Sequence, residues 1–285
     1  MKAPTFGPTQ YLQKIYAEGM RQITGRVLLK KQPEQSFQEW LAALTRRSQE
    51  PDIQAASQLL AERMVGQVSA KNMKTWRAAA AKSQRSTMLY RLLQQEMQGP
   101  TGVRVRQIVR ENAKLISSLS IEAATTFAEE IEKAQQAGAR STTLDKMARS
   151  RFPELLRSRI HLISRTETSK ASTALMQARC ENLNIDWYRW ESSQDQRTRM
   201  AHKKMQDVIV SWSQAPNPEA LVGIKSTLGH YHAGECPNCR CYPAPALTFD
   251  DIKFPARVYW NGSVHTMSKK EFSKIAGGLE ELAAA

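Results

Sequence analysis

Acidic side chains are scarce in this chain: 27 aspartates and glutamates stand against 41 lysines and arginines, a formal net charge of +14 at pH 7. A surplus that large creates a positive surface potential, so polyanions, nucleic acid or anionic membrane, are the expected neighbours. Long apolar runs are missing as well. No stretch approaches the roughly 20 apolar residues needed to cross a bilayer. Nor does any segment join a strong basic face to a bulky apolar one over enough length to lie on a membrane. The opening MKAPTFGPTQYLQKIY has no apolar signal-peptide core, and the expectation is a cytoplasmic chain or one assembled from cytoplasmic parts. Internal repeats are absent, and low complexity is limited to short alanine runs such as Ala78 to Ala81. Cysteine and histidine occur only four and five times.

That sparseness makes GHYHAGECPNCRCY, residues 229–242, informative, because it gathers three of the cysteines and two of the histidines. In a reducing setting clustered cysteines favour metal ligation over disulfides. Cys236 and Cys239 have the C-x-x-C spacing of a zinc knuckle, and Pro237 and Asn238 suit the tight turn that brings both sulfurs to one point. Cys239 and Cys241 are two apart and point to one side of an extended segment. Tetrahedral zinc takes four ligands; the loop supplies Cys236, Cys239 and Cys241, and a histidine completes the set. His202 is the choice adopted here, with His230 and His232 as the alternatives. Thiolate and imidazole suit Zn2+, and no iron–sulfur spacing appears. A site with four protein ligands is full, hence structural. A zinc deaminase needs H-x-E, which is absent from the chain. A nuclease would draw on His265 or Asp195. No catalytic residue is assigned. Cys180, on a helical stretch, reads as a core thiol.

Periodicity divides the rest. Residues 1–35, with Pro4, Pro8 and Pro33, read as an extended arm carrying one short helix around Tyr11 to Met20. Ser36 and Glu39 form a capping box ahead of Trp40, Leu41 and Leu44. Apolar residues then recur at helical spacing: Leu59, Leu60 and Met64; Met88, Leu92 and Met97; Val105, Ile108 and Val109; Leu115, Leu119 and Ile121; Phe127 and Ile131. A further helix, broken or bent near Pro153, runs to about residue 183. After Asn184 the pattern suits strands: IDWYRWES alternates, RTRMAHKKMQDVIVSW is a helix running into a strand, and ARVYWNGSVHTM is a hairpin turning at Asn261-Gly262. Ser268 and Glu271 cap a last helix. The predicted fold class is α+β, a mainly helical N-terminal domain followed by a small mixed α/β C-terminal domain with a metal-stapled loop. The expected domains are 1–35, 36–160 and 161–285. Arg165 is expected to pair with a carboxylate such as Asp195, and Asp195 to cap the helix holding Arg197, Arg199 and His202.

Three motifs occur in an order that resembles the Mu F-like family of phage head morphogenesis, or minor capsid, proteins. ISRTETSKASTALMQA (Ile163 to Ala178) is similar to the family's Arg-Thr-Glu helix with small residues. WESSQDQRTRMAH (Trp190 to His202) is similar to its aromatic, Asp, Thr-Arg, His segment, and CPNCRC (Cys236 to Cys241) to its Cys-Arg-Cys box. Relatives often carry histidine in place of Cys236, a swap that a zinc ligand tolerates and a disulfide partner does not. The resemblance covers residues 160 to 245 and implies a virion structural component without enzyme activity. It would sit inside the head near the portal vertex, with the portal protein and major capsid protein as partners, and would contact packaged double-stranded DNA through phosphates. The rival readings are a metal-dependent nuclease and a zinc-knuckle DNA-binding module.

Overall fold

The computed structural model describes residues 6–28, 31–32, 34–80 and 96–276. Met88 and Leu92 lie outside them. The long helices are α1 (Gln10–Val27), α2 (Phe37–Ser48), α3 (Pro51–Ala80), α4 (Pro100–Gln136) and α5 (Ser141–Asn182). Then follow β1 (Trp187–Glu191), α6 (Met200–Lys204), β2 (Ile209–Ser211), β3 (Tyr242–Pro245), β4 (Ala256–Trp260), β5 (Ser263–Met267) and α7 (Lys269–Ser273). The fold is α+β: mostly helical first, then a mixed five-strand sheet carrying a buried His/Cys cluster. Contacts divide the chain into two compact units, one of Gln10–Gly66 and Gln107–Glu167, the other of Met1–Thr9, Gln67–Arg106 and Thr168–Ala285.

In the helical unit α1 is 18 residues long, running well beyond the short helix expected around Tyr11 to Met20. Leu12, Tyr16, Met20, Ile23 and Val27 recur three or four apart and all are buried, which offsets the cost of Gly19 and Gly25 inside the helix. Gly19 has a packing reason: a Cβ there would stand 2.4 Å from Leu60 Cδ1. The Tyr16 hydroxyl donates to Asn112 Oδ1 at 2.7 Å. The capping box of Ser36 and Glu39 forms as expected. On α3 the stripe is rotated from the expected one. Ile53, Ala61, Met64 and Val65 are buried, whereas Leu59 is 67% exposed because it falls on the opposite face.

Helix α5 continues through Pro153 without ending. The ring removes one donor and crowds the preceding turn, but contacts of the two residues just before it anchor the helix there. Phe152 packs on Trp40 and Phe127, and Arg151 forks onto Glu130 with two bonds of 2.9 Å.

In the sheet unit the strand order is β3-β1-β2-β4-β5. Only β2 and β4 are parallel; the other neighbours are antiparallel. Alternation sends Tyr188, Trp190, Val210 and Tyr259 to one face, with Met176 and Cys180 of α5 and the cysteine loop. Trp187, Ile209 and Val258 go to the other, with Phe272 of α7. Strand β3 was not anticipated, since Pro243 and Pro245 argue against a strand interior. It lies at the sheet edge, where a missing donor is tolerated. The Asn261-Gly262 hairpin forms with positive φ at both residues, 48° and 85°, as a two-residue turn of this kind requires.

Candidate metal centre

The second half of α5 is rich in small residues for a reason visible in the sheet unit. Ser169, Ser172 and Thr173 are buried; the cysteine loop lies against Ser169 and Thr173, and the Ser172 hydroxyl donates to the Phe6 carbonyl. The Thr173 hydroxyl donates to the Ala233 carbonyl at 2.6 Å. Gly234 follows with φ +96°, and a Cβ there would come within 2.5 Å of Thr173 Oγ1 and 3.0 Å of the Cys241 carbonyl. The loop then turns at Pro237-Asn238, Asn238 adopting φ 57°, and the Cys239 amide donates to the Cys236 carbonyl at 3.1 Å. A second amide, that of Cys241, reaches Cys239 Sγ at 3.4 Å. One backbone donor thus reaches a sulfur of the loop, that of Cys239.

Across from this loop α6 presents His202, edge-on to Trp190. His202, Cys236 and Cys239 are buried and offer ligand atoms all within 4.8 Å of one another, a triad that can hold a metal. Cys241 lies beside it: its Sγ is 3.3 Å from His202 Nδ1, while Cys239 Sγ is 3.6 Å from the same nitrogen. Cys236 Sγ is 3.8 Å from Nε2. Zn–N and Zn–S bonds of about 2.0 and 2.3 Å in a tetrahedron put nitrogen and sulfur roughly 3.5 Å apart, so the Nδ1 distances fit a shared ion. The protonation balance agrees. Burial pulls the His202 imidazole down, yet hydrogen bonds to Cys236 and Cys239 outweigh it and raise it to about 9. The Cys239 contact, then burial, pushes the Cys236 thiol up. These groups compete for protons, and one divalent cation displaces that competition by binding thiolates and neutral imidazole. All four side chains are 4% exposed or less, the enclosure of a structural site and not of one with an open position.

The other sequence candidates are placed elsewhere. His230 is exposed with Nδ1 2.9 Å from the Ala215 carbonyl, and His232 is buried with Nδ1 3.1 Å from the Tyr188 hydroxyl. His265 sits on β5 near Ser263 and the Trp260 carbonyl. Cys180 is a fully buried thiol, pushed up by burial. Asp195 is clasped through both carboxylate oxygens by Arg240, which the loop carries to it. It also accepts from the Arg197 amide at 3.0 Å and from the Thr198 hydroxyl. It does not cap α6, whose N-cap is Arg199. The pairing with Arg240 holds the Asp195 carboxyl at about 2. Arg199 donates to Cys236 Sγ and to the Pro237 carbonyl, both at 3.0 Å.

Two residues around the triad carry no sequence signal. The Tyr231 hydroxyl is 2.9 Å from His202 Nε2 and donates to the Glu219 carboxylate at 2.7 and 2.9 Å. Glu219 is 5% exposed. Tyr231 lies in the cysteine loop as an aromatic with no ligand spacing of its own; Glu219 follows two prolines in an unpatterned stretch. A second buried ionic node is also new. Arg179 of α5 forks onto Glu96 with two bonds of 2.7 Å and reaches Asn72 and Ser69. Its signal was a lone charge inside ASTALMQARC.

Residues 125–243 match the family described as Phage Mu protein F like protein. An uncharacterized protein of Haemophilus influenzae is 35% identical over 89 residues, 31% of this chain and 17% of that protein. The chain therefore spans a minor part of that relative's length. No solved structure matches. Among the described residues no helix is long and apolar enough to cross a membrane.

Proposed function

Residues 125–243 are a domain of the Phage Mu protein F-like family, a phage head morphogenesis family, and from that premise we propose that this chain is a minor head protein of a virion. In this reading it acts in head assembly at or near the portal vertex, with the portal protein and major capsid protein as partners, and it passes through the host cytoplasm before enclosure in the head. We take residues 1–35 as its arm, 36–160 as a docking domain and 161–285 as the family's functional module. The observation that carries the reading is the family match together with an enclosed His/Cys cluster. In the cluster His202, Cys236, Cys239 and Cys241 hold one Zn2+, which supplies a cross-link between α6 and the loop and no reaction. His265 and Asp195 are engaged by Ser263 and Arg240, which favours this reading over a nuclease.

The charge of +14 suits a shell filled with DNA. Exposed Arg106, Arg110 and Arg157 are available to phosphates, whereas Arg151 and Arg159 pair with Glu130 and Glu122. Binding is non-specific and falls steeply with salt. The test is co-expression with the portal protein of the same phage. Joint purification and one zinc per chain support the reading. Separate elution, or turnover of nucleic acid by the purified chain, overturns it.

A further inference from the structure

The chain Glu219–Tyr231–His202 resolves which histidine nitrogen serves the cluster. Tyr231 has one O–H to donate. An ionised carboxylate only accepts, and both Glu219 oxygens lie within 2.9 Å of that hydroxyl. The O–H is therefore spent on Glu219, and the hydroxyl oxygen is left to accept. His202 Nε2, 2.9 Å away, must then be the donor and carry the ring proton. Neutral imidazole has one N–H, so Nδ1 is the bare nitrogen, and Nδ1 is the atom 3.3 and 3.6 Å from Cys241 and Cys239. The carboxylate also lies 3.8 Å from Nε2 itself, which stabilises the proton there.

We propose that His202 ligates through Nδ1 and that Tyr231, anchored by Glu219, is a positioning residue that fixes this tautomer. The inference rests on the metal reading given above. It adds two residues, Tyr231, 29 positions from His202, and Glu219, 12 positions from Tyr231, that no spacing rule would select. Outer partners of this type orient the ring and raise its basicity as a ligand. The same hydrogen-bond chain ties the segment around Glu219 to the cluster.

The experiment uses the full chain, 15N-labelled at histidine and loaded with Zn2+, and observes His202 by long-range nitrogen–proton correlation. The expected pattern is a metal-shifted Nδ1 and a protonated Nε2. Chelator competition then compares variants. Tyr231→Phe keeps the ring and deletes the acceptor, and zinc binding should weaken by about 10- to 100-fold; Glu219→Gln, still able to accept, should weaken it less. A wild-type chain that takes up no zinc defeats the metal reading and this inference with it. Zinc uptake with Nε2 as the metal-shifted nitrogen overturns this inference alone, as does Tyr231→Phe binding zinc as tightly as wild type. The nitrogen assignment needs no variant, so misfolding of Tyr231→Phe leaves it decisive.

Discussion

In the helical unit the charged contacts lie at the surface. Arg47 with Asp52, Arg151 with Glu130 and Arg159 with Glu122 each have partners between 22% and 55% exposed, and among the described residues the interior is apolar apart from small hydroxyls and Asn112. In the sheet unit charge goes inside. Among the described residues the buried Glu96, Arg179, Glu219, His202 and His232 all belong to it. Apolar stripes distribute stabilisation over many side chains, each replaceable at modest cost. Buried ionic nodes concentrate it, because removing one member strands its partner in a medium of low dielectric. The two units are therefore expected to respond differently to single changes.

The largest expected difference comes from the cluster. Structural zinc contributes about 10–16 kcal/mol of apparent free energy in small zinc-bound domains at neutral pH, comparable to a whole domain's stability of about 5–15 kcal/mol. Chelation, or Cys239→Ser, should abolish amide protection across β1 to β4 while α1 and α2 keep most of theirs, as read by hydrogen exchange. Equal loss in both units would erase the contrast.

Next in size is the pair of arginine forks. Arg179 and Glu96 side chains are 0% and 3% exposed; Arg151 and Glu130 are 41% and 30% exposed. Arg179→Ala should cost about 3–5 kcal/mol because Glu96 remains buried and unpaired. Arg151→Ala should cost no more than about 1 kcal/mol. Local urea unfolding, followed by exchange at α5 amides, measures both. An Arg179→Met, Glu96→Leu double variant should recover much of the loss, since apolar replacement of a buried pair is often neutral.

A pair of glycines gives a smaller contrast. Gly234→Ala forces a left-handed backbone on a residue with a Cβ and presses it against Thr173 and the Cys241 backbone, an expected cost of about 1–2 kcal/mol. Gly19→Ala meets only the tip of Leu60, which can rotate, and gains up to about 1 kcal/mol of helix propensity. Its net effect on melting should be near zero.

What the sequence disclosed follows the same division. The capping boxes at Ser36 and Ser268, the Asn261-Gly262 turn and the Cys236 to Cys239 turn are local signals, each satisfied within four residues, and each appears in the structure. Helical periodicity located the stripes but misjudged their phase at Leu59 and the length of α1, because two glycines and nearby prolines masked a regular apolar spacing. The misses that matter are non-local. Arg240 at Asp195, Glu96 at Arg179, and Glu219 at Tyr231 are pairings 45, 83 and 12 residues apart, and no residue-type rule selects one carboxylate over another at such distances. His202 was distinguishable from His230 and His232 only once the fold had placed Trp190 and the loop around it.

The smallest expected effect concerns a feature the two units share. Asp195 with Arg240, and Asp52 with Arg47, are surface ion pairs in which the arginine lowers the carboxyl. A carboxyl held below its unfolded value contributes stability above that value and loses it on acidification. For Asp195 the contribution is complete above its ordinary 3.8 and disappears as pH falls through about 2. Acid also strips metal from thiolates, so the informative quantity is the difference between wild type and Asp195→Asn at each pH. That difference should be constant above pH about 4 and vanish near pH about 2. The Asp52→Asn difference should shrink in the same direction on acidification. Matching behaviour means the contrast between the units lies in their buried charges and not in their surfaces. A pH-independent Asp195→Asn difference would instead place the Asp195–Arg240 clasp among the structural supports of the cysteine loop, acting through shape and not through charge.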